Sequence, residues 1–419
     1  MSQELTAGAQ EDSDAMSYYR KEACKVVTFR IVYDREPGSN GYDVVTFAPE
    51  MAHQVFGESE SIFGYKQIAI TIDMLHNSCR CFLSVMFSGA IQRLYSKPDD
   101  VKKALNPWLP ANYTNDPSEF ERLVDSEDHE KMFGEVISSY SVPSARFSQQ
   151  NVQSRIIITK TDTSSAELRD FHARFETYIV WFIDAANFID LEDDRWLIFY
   201  AYEEFQHPIS KKTYKTPIAY CSVYKFFSFP SNVRARISQF FVLPSHQRRG
   251  IGTALYRTVV ETLKNMKEVV DFTVEEPTSA FQRIRDLEDS LIVHQALQEK
   301  RVNYLKVEAS AVLELGKGKK IGKKQMQRVY DILGLYYADR TGPACSEKIL
   351  SSIRNRVTQQ NMRELRHGKR FCRLDGSATP VQTAKKDEIE NDLKRYCDDI
   401  QSSADHLKEK MPTPSKRKR

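Results

Sequence analysis

Eight consecutive residues, Gln247-Arg248-Arg249-Gly250-Ile251-Gly252-Thr253-Ala254, place two arginines and two glycines between an apolar stretch, 237–243, and a segment of helical spacing. The first turn of a helix offers backbone N–H groups without partners and the positive end of the helix dipole, so a pyrophosphate can settle there if no side chain blocks it. Gly250 and Gly252 clear that approach, and Arg248 and Arg249 add charge. A plain glycine-bearing turn is the competing reading. A dinucleotide fingerprint is excluded, because it needs G-x-G-x-x-G inside a βαβ unit. The second group is Glu275-Glu276, just before Pro277. Two adjacent carboxylates sharing one partly buried site would raise each other's pKa and make a better base. Left in solvent, the same pair is an acidic turn.

These residues need elements to carry them. Alternating apolar positions predict three consecutive strands at 196–202, 217–227 and 234–243, joined by modest connections as in an antiparallel meander. Leu255, Val259, Val260 and Leu263 then recur at helical spacing, and 269–274 alternates again. The order is strand, strand, strand, helix, strand. Ahead of it, Phe171, Phe175, Tyr178, Ile179, Phe182 and Ile183 recur at three and four and predict one long helix over 164–187. Residues 1–22 read as a polar leader, and 23–134 as a strand-rich domain. Beyond Pro277 the pattern is helical to about 340; from 341 the chain is charged and weakly periodic, with Ile389, Leu393, Tyr396 and Ile400 allowing an exposed or partner-bound helix. The Gly316–Lys324 segment resembles a phosphate loop only in composition, lacking its glycine spacing and its Lys-Ser/Thr ending.

Composition bounds the function. With 419 residues, 41% of them hydrophobic, the chain can build two or three packed domains. Sixty basic groups face 57 acidic ones, but Lys416, Arg417, Lys418 and Arg419 stand together at the end; without them 56 face 57. The body is therefore not a basic nucleic-acid binder, and the end reads as a nuclear-import tag or a solubilising tail. The longest apolar run, 178–183, stops at Asp184 well short of the roughly 18 residues of a membrane span, and the leader has no apolar signal core. Seven dispersed cysteines and nine scattered histidines show neither Cys-x-x-Cys nor His-Glu-x-x-His spacing, which argues for reduced thiols and no metal.

In this context Gln247, Gly250 and Gly252 resemble the Gln/Arg-x-x-Gly-x-Gly/Ala acyl-CoA-binding motif of the GNAT acetyltransferase superfamily. The likeness sharpens to the type B histone acetyltransferase catalytic subunits. It is carried by Phe182-Ile183-Asp184, Phe188-Ile189-Asp190, Asp194-Arg195-Trp196, Val223-Tyr224, Ser238-Gln239, Glu275-Glu276-Pro277, Ile284-Arg285-Asp286 and the stretch from Phe56-Gly57-Glu58 to Gly64-Tyr65-Lys66. It covers about 25–340 and fades in the tail.

The resemblance implies an α+β fold: an N-terminal α/β domain at 23–134, a GNAT core at 135–276, a helical C-terminal domain at 277–340 and a charged tail at 341–419. It also implies transfer of acetyl from acetyl-CoA, with no metal, to lysines in the N-terminal tail of newly synthesised histone H4, with histone H3 as a possible companion. A carboxylate must then take the ammonium proton of the lysine. Glu275 matches the principal base, Glu276 its acidic neighbour, and Asp184 a third acid that is usually Glu. As bare sequence, Asp184 lies on a helix beside Trp181 and Phe188. Phe240, Phe241 and Val242 match the backbone lining of the pantetheine arm; Gln247, Arg248, Arg249, Gly250, Ile251, Gly252 and Thr253 match the pyrophosphate loop, with Arg248, Arg249 and Ile251 departing from its commonest residues. Glu58, Ser59 and Glu60, and Tyr224, Lys225 and Phe226, match tail-contacting positions. The acidic run at 190–194 is set aside as a solvated loop. A WD-repeat histone chaperone of the retinoblastoma-binding type is the implied partner, nucleus and cytoplasm the implied location, and no direct nucleic acid or membrane contact is implied. A GNAT enzyme acting on an N-terminal or small amine, or a non-catalytic histone carrier, are the alternatives.

Overall fold

The structure, a computed structural model, describes residues 17–35, 41–91, 97–144, 146–147, 152–161, 163–374 and 382–411, with backbone alone for 364–374 and 382–388. The leader to residue 16 and the basic end at 416–419 lie outside the described residues. The chain forms two compact units, Met1–Lys225 with Ile237–Thr258, and Phe226–Arg236 with Val259–Arg419. The division does not follow the expected boundaries at 134 and 276.

The first unit holds two main sheets. Its strands are β1 (Arg20–Glu22), β2 (Val27–Arg35), β3 (Tyr42–Phe47), β4 (Ser61–Phe63), β5 (Ile68–Leu75), β6 (Cys81–Phe87), β7 (Glu135–Pro143), β8 (Gln153–Thr161), β9 (Trp196–Gln206), and most of β10 (Thr213–Ser228) and β11 (Asn232–Val242). Its helices are α1 (Ala23–Val26), α2 (His53–Phe56), α3 (Val101–Leu105), α4 (Pro117–Asp125), α5 (Ala166–Phe175) and the first half of α6 (Ile251–Asn265). The smaller main sheet has the order β3-β2-β5-β6, with β2 and β5 parallel from Val27↔Ile70 and their outer neighbours antiparallel. In the larger sheet β7, β8, β9, β10 and β11 lie side by side in chain order. The meander expected from three strands thus begins two strands earlier, at β7 and β8. Within the expected leader, Arg20–Glu22 pairs antiparallel with β4, Arg20 opposite Phe63.

An aromatic seam fills the space between the sheets. Phe29 of β2 and Phe47 of β3 meet Tyr178 and Phe182 at ring separations of 5.5 to 6.2 Å, and Phe241 of β11 meets Phe182 at 5.2 Å and Tyr178 at 6.3 Å. Trp181, 1% exposed, closes it against Phe29. This shared core joins strands of 23–134 to Tyr178, Trp181, Phe182 and Phe241 within the first unit. It also corrects the long helix expected over 164–187. The α-helix ends at Phe175 and Glu176–Trp181 tightens into a 3-10 helix whose every residue is buried, because β-branched and aromatic side chains must pack on all sides there.

In the second unit the hairpin end 226–236 continues to β12 (Val269–Val274): Val233 N–H donates to Glu268 O at 2.8 Å and Arg234 pairs with Asp271 at 2.6 Å. Five helices follow, α7 (Ser279–Glu299), α8 (Ala309–Gly318), α9 (Lys323–Asp339), α10 (Pro343–Leu374) and α11 (Gln382–Lys410). Gly316 lies within α8, where Met326 of α9 occupies the space a Cβ would need. The tail, read as partly helical or disordered and as allowing an exposed or partner-bound helix, is helical over Pro343–Leu374 and Gln382–Lys410 and packs in its own bundle, with Cys397, Ile400, Ala404 and Leu407 all buried. Two buried carboxylates of this bundle are well paired: Asp286 takes Arg328 at 2.7 Å and Gln325 at 3.0 Å, and Asp331 takes the Tyr396 hydroxyl at 2.6 Å and Arg356. No helix among the described residues is long and apolar enough to cross a membrane.

Leu407, 0% exposed, gives a direct check on the tail. Leu407→Ala should destabilise the helical unit by about 2–5 kcal/mol in denaturant unfolding, whereas a loss under about 0.5 kcal/mol would mean a surface helix. A pH effect follows from His76, 1% exposed, whose Nε2 lies 2.9 Å from His129 Nδ1. Burial first, then the charges of His129 and Arg146, hold its pKa well below the ordinary value, so the fold keeps it neutral. The unfolded chain protonates it below about 6.5, binds more protons than the fold, and stability must fall as pH drops through that value. The melting temperature of His76→Gln should fall less between pH 7 and 5 than that of the unaltered protein; parallel slopes would exclude His76 as the cause.

Candidate acetyl-transfer site

The glycine loop lies where the sequence places it, within the first unit. β11 ends at Val242, Pro244–His246 forms a 3-10 turn, and α6 begins at Ile251. Arg248 and Gly250 adopt φ values of 59° and 78°. A Cβ on Gly250 would meet nothing within 4 Å, so the glycine is required by backbone conformation and the space above it is open. Ala254 N–H donates to Gly250 O at 3.0 Å, which leaves the amides ahead of it, including Ile251, Gly252 and Thr253, without a carbonyl inside the helix. An anion fits that arrangement.

The loop's side chains divide in a way their letters do not disclose. Gln247 turns back, its Nε2 donating to Val242 O at 3.1 Å. Arg248 is exposed, with no hydrogen bond or ion pair among the described residues. Arg249 is drawn inward: its Nη2 lies 3.2 Å from Glu203 Oε1 and donates to Pro143 O at 3.0 Å. Glu203, on β9 and 3% exposed, also meets His246 Nε2 at 2.9 Å through its other oxygen. Burial pushes the Glu203 carboxyl upward, but the hydrogen bond and charge of His246 and the charge of Arg249 outweigh it and bring the pKa down to about 2.

On β11 burial alternates, with Ala235, Ile237, Gln239 and Phe241 buried and Ser238, Phe240 and Val242 partly exposed on the other face. Phe241 belongs to the aromatic seam, so its side chain packs and only its backbone remains for a ligand. The Gln239 N–H donates to Ser222 Oγ at 3.0 Å, its Oε1 accepts from the Tyr220 hydroxyl, and its Nε2 donates to Asn187 O at 2.7 Å. That last bond ties down the loop carrying Asp184.

Asp184 is not on a helix. It follows the 3-10 segment in a turn, Trp181 is buried, and Phe188 packs at 5.8 Å on Trp108. The loop is fixed at three points: Gln239 at Asn187, Gln54 Nε2 donating to Ala186 O at 2.9 Å, and buried Glu176 accepting from Ile189 N at 2.7 Å. The Asp184 side chain, 78% exposed, pairs with His53 Nε2 at 2.9 Å, while His53 Nδ1 lies 3.6 Å from Glu60 Oε1. His53 thus joins two acids that the sequence places 124 positions apart. Glu60 accepts from the amides of Ala52 at 2.6 Å and His53 at 3.0 Å, and the Ala52 bond above all holds its carboxyl below the usual range. It braces α2, and Glu58 and Ser59 beside it are exposed.

Tyr224 donates to Asp193 Oδ2 at 3.1 Å, with the Arg195 guanidinium 4.9 Å above its ring and Trp196 at 4.8 Å. The acidic run set aside in the sequence therefore reaches the aromatic strip. Lys225 N–H donates to Arg195 O at 3.1 Å. Next to them opens a cleft of about 530 Å³ whose lining includes Glu192, Asp194, Trp196 and Lys225.

In the second unit, Phe226 is 39% exposed with the Arg236 guanidinium 4.8 Å over its ring. Glu275 and Glu276 follow β12 and are both exposed, Glu276 at φ 32°. The partly buried pair entertained from the sequence is not formed within this unit. Thr278, three residues on from Glu275, caps α7 by accepting from Phe281 N at 3.3 Å.

Comparison with known proteins matches residues 166–283 to the acetyltransferase (GNAT) family, and residues 19–184 to the family described as histone acetyl transferase HAT1 N-terminus. Residues 166–283 thus form a GNAT acetyltransferase domain, and the chain is an acetyltransferase. Relatives of this acetyltransferase bear the name histone acetyltransferase type B catalytic subunit. The protein of Mus musculus is 29% identical over 300 residues, covering 71% of each chain. That of Cryptococcus neoformans is 28% identical over 335 residues, 72% of this chain and 78% of its own. That of Candida albicans is 23% identical over 377 residues, 86% and 85%.

Three residues in contact with the sequence-marked positions went unmarked in the sequence: His53, Glu203 and His246. Only the Phe56–Lys66 neighbourhood hinted at His53, and nothing marked Glu203, one of two adjacent acids in a strand. Gly250→Ala should lower stability by about 1–2 kcal/mol through left-handed strain alone, since no atom stands in the way; an unchanged melting temperature would show that the loop relaxes freely.

Proposed function

We propose that this acetyltransferase moves the acetyl group of acetyl-CoA to lysines in the N-terminal tail of histone H4, by direct transfer with a carboxylate as base. The observation carrying the reading is the open N-terminus of α6 behind Gly250, where amides lacking helical partners meet unfilled space. When bound there, acetyl-CoA supplies a thioester activated toward an amine, and the chain's task is to orient it and to manage one proton.

The incoming lysine is an ammonium with a pKa of about 10.4 and cannot attack until that proton leaves. Glu275 is assigned that proton, with Glu276 beside it. Asp184 is given an orienting role: its carboxylate is held by His53, in keeping with a side chain one methylene shorter than Glu. Phe240, Phe241 and Val242 are assigned to the pantetheine arm through their backbone, and the amides of 250–253 to the pyrophosphate. A basic tail suits acidic ground, and Glu58, Glu192 and Asp194 are exposed acids of the first unit, the latter two rimming the cleft at Trp196. The names of the relatives support histone as the substrate class. On the same footing we assign histone H3 as a companion of the substrate, a WD-repeat histone chaperone as partner, and the nucleus and cytoplasm as location.

The test is an acetylation assay of an H4 tail peptide with mass-spectrometric mapping, run beside lysine-free and amine-blocked versions. Lysine-dependent product supports the proposal; product on the lysine-free peptide would make this an N-terminal amine acetyltransferase. Glu275→Gln should cut turnover by about 10² to 10⁴ with coenzyme A affinity intact. Turnover near that of the unaltered enzyme would remove Glu275 as base.

A further inference from the structure

We propose that Glu203 is the positioning residue of the anion loop, holding His246 and Arg249 on either side of it so that the amides at the start of α6 keep one direction. This rests on the cofactor reading above. The carboxylate uses both oxygens, Oε2 at 2.9 Å from His246 Nε2 and Oε1 at 3.2 Å from Arg249 Nη2. Gln247 and Arg248, between the two attachment points, carry the turn, and two of the four residues from Gln247 to Gly250 stand at positive φ. Such a segment has many conformations open to it when free, and ordering it on ligand binding would subtract from affinity. Two attachments to one buried group on a central strand remove that cost in advance.

The surroundings favour the same reading. His246 Nδ1 is 2.9 Å from Ser245 Oγ, so both ring nitrogens are engaged and the ring cannot turn without breaking a contact. Arg249 Nη2 also reaches the carbonyl of Pro143 at the end of β7, extending the anchorage to a second strand. The attachment has an electrostatic consequence. Arg249 is spent on Glu203, so the loop presents to an anion its amides and the exposed Arg248, not the two arginines counted in the sequence. Glu203 touches no substrate in this scheme and acts only through the loop.

Calorimetry and steady-state kinetics on the full chain test this with Glu203→Gln, Arg249→Gln and the double variant. Coenzyme A should bind about tenfold more weakly to each single variant, and the double variant should fall well short of the product of the two losses, as expected for groups in contact. With saturating acetyl-CoA, kcat and the KM for the peptide should stay within about twofold, a split that general loss of folding would not produce. Should Glu203→Gln not fold, Arg249→Gln alone must show the same split. Unchanged coenzyme A affinity in a folded variant, or a parallel loss of kcat and both KM values, overturns the proposal. Failure of the unaltered protein to bind coenzyme A would instead sink the cofactor reading and take this one with it.

Discussion

The packing of Phe29, Phe47, Tyr178, Trp181, Phe182 and Phe241 into one seam is the constraint on which the first unit depends. Each ring buries on the order of 150–250 Å², so at about 25 cal/mol per Å² each adds several kcal/mol before entropy is charged. The seam joins β2 and β3 of one sheet to β11 of the other. It therefore fixes where β11 ends and where the glycine loop begins. It also fixes the exit of the chain at Phe182, two residues before Asp184. A site assembled from distant stretches of sequence holds its shape because those stretches share a core.

Buried polar groups do what the seam cannot, because apolar packing is indifferent to small rotations of a loop. Gln239, Glu176 and Gln54 each take one backbone group of 186–189, and Glu203 takes two side chains flanking the anion loop. Gln239, Glu176 and Glu203 are buried and would be costly if left unpaired in a low-dielectric interior, so their bonds are close to obligatory. The surface acids behave differently. Asp193 is held far below the usual carboxylate range by hydrogen bonds to Arg195, but its setting is solvent and the pair adds little to stability. Its consequence is orientation, since the same carboxylate takes the Tyr224 hydroxyl.

Much of the core was legible because periodicity reports burial on one face. The three strands, the helix beginning at 251 and the strand at 269–274 all present alternating or helical stripes. The misreadings have more than one cause. In 176–181 every residue is buried, so apolar spacing of three and four appears without an α-helix. β7 is exposed along most of one edge and shows no apolar stripe, and β8 was missed although its Ile156-Ile157-Ile158 run is buried on both faces. In α11 the buried positions Cys397, Ile400, Ala404 and Leu407 recur at three and four but form a narrow stripe among many charges, which hides a packed helix inside a polar composition. Glu203 and His246 were invisible for a different reason: their bond spans 43 positions, and no local pattern encodes it; the His53–Asp184 pair likewise spans 131 positions.

The loop shows the limit most sharply. Gln247-Arg248-Arg249-Gly250-Ile251-Gly252 reads as two cations beside two glycines, and a charge count assigns both cations to the ligand. Packing separates them. Arg249 lies against a carboxylate whose pKa is lowered to about 2, so that pair stays ionised throughout the physiological range and its charges largely cancel. What remains to meet an anion is the exposed Arg248 and the unsatisfied amides of α6, whose direction no rotamer can change. Affinity at such a site is set less by how many arginines the motif contains than by whether the backbone is already held in place when the ligand arrives.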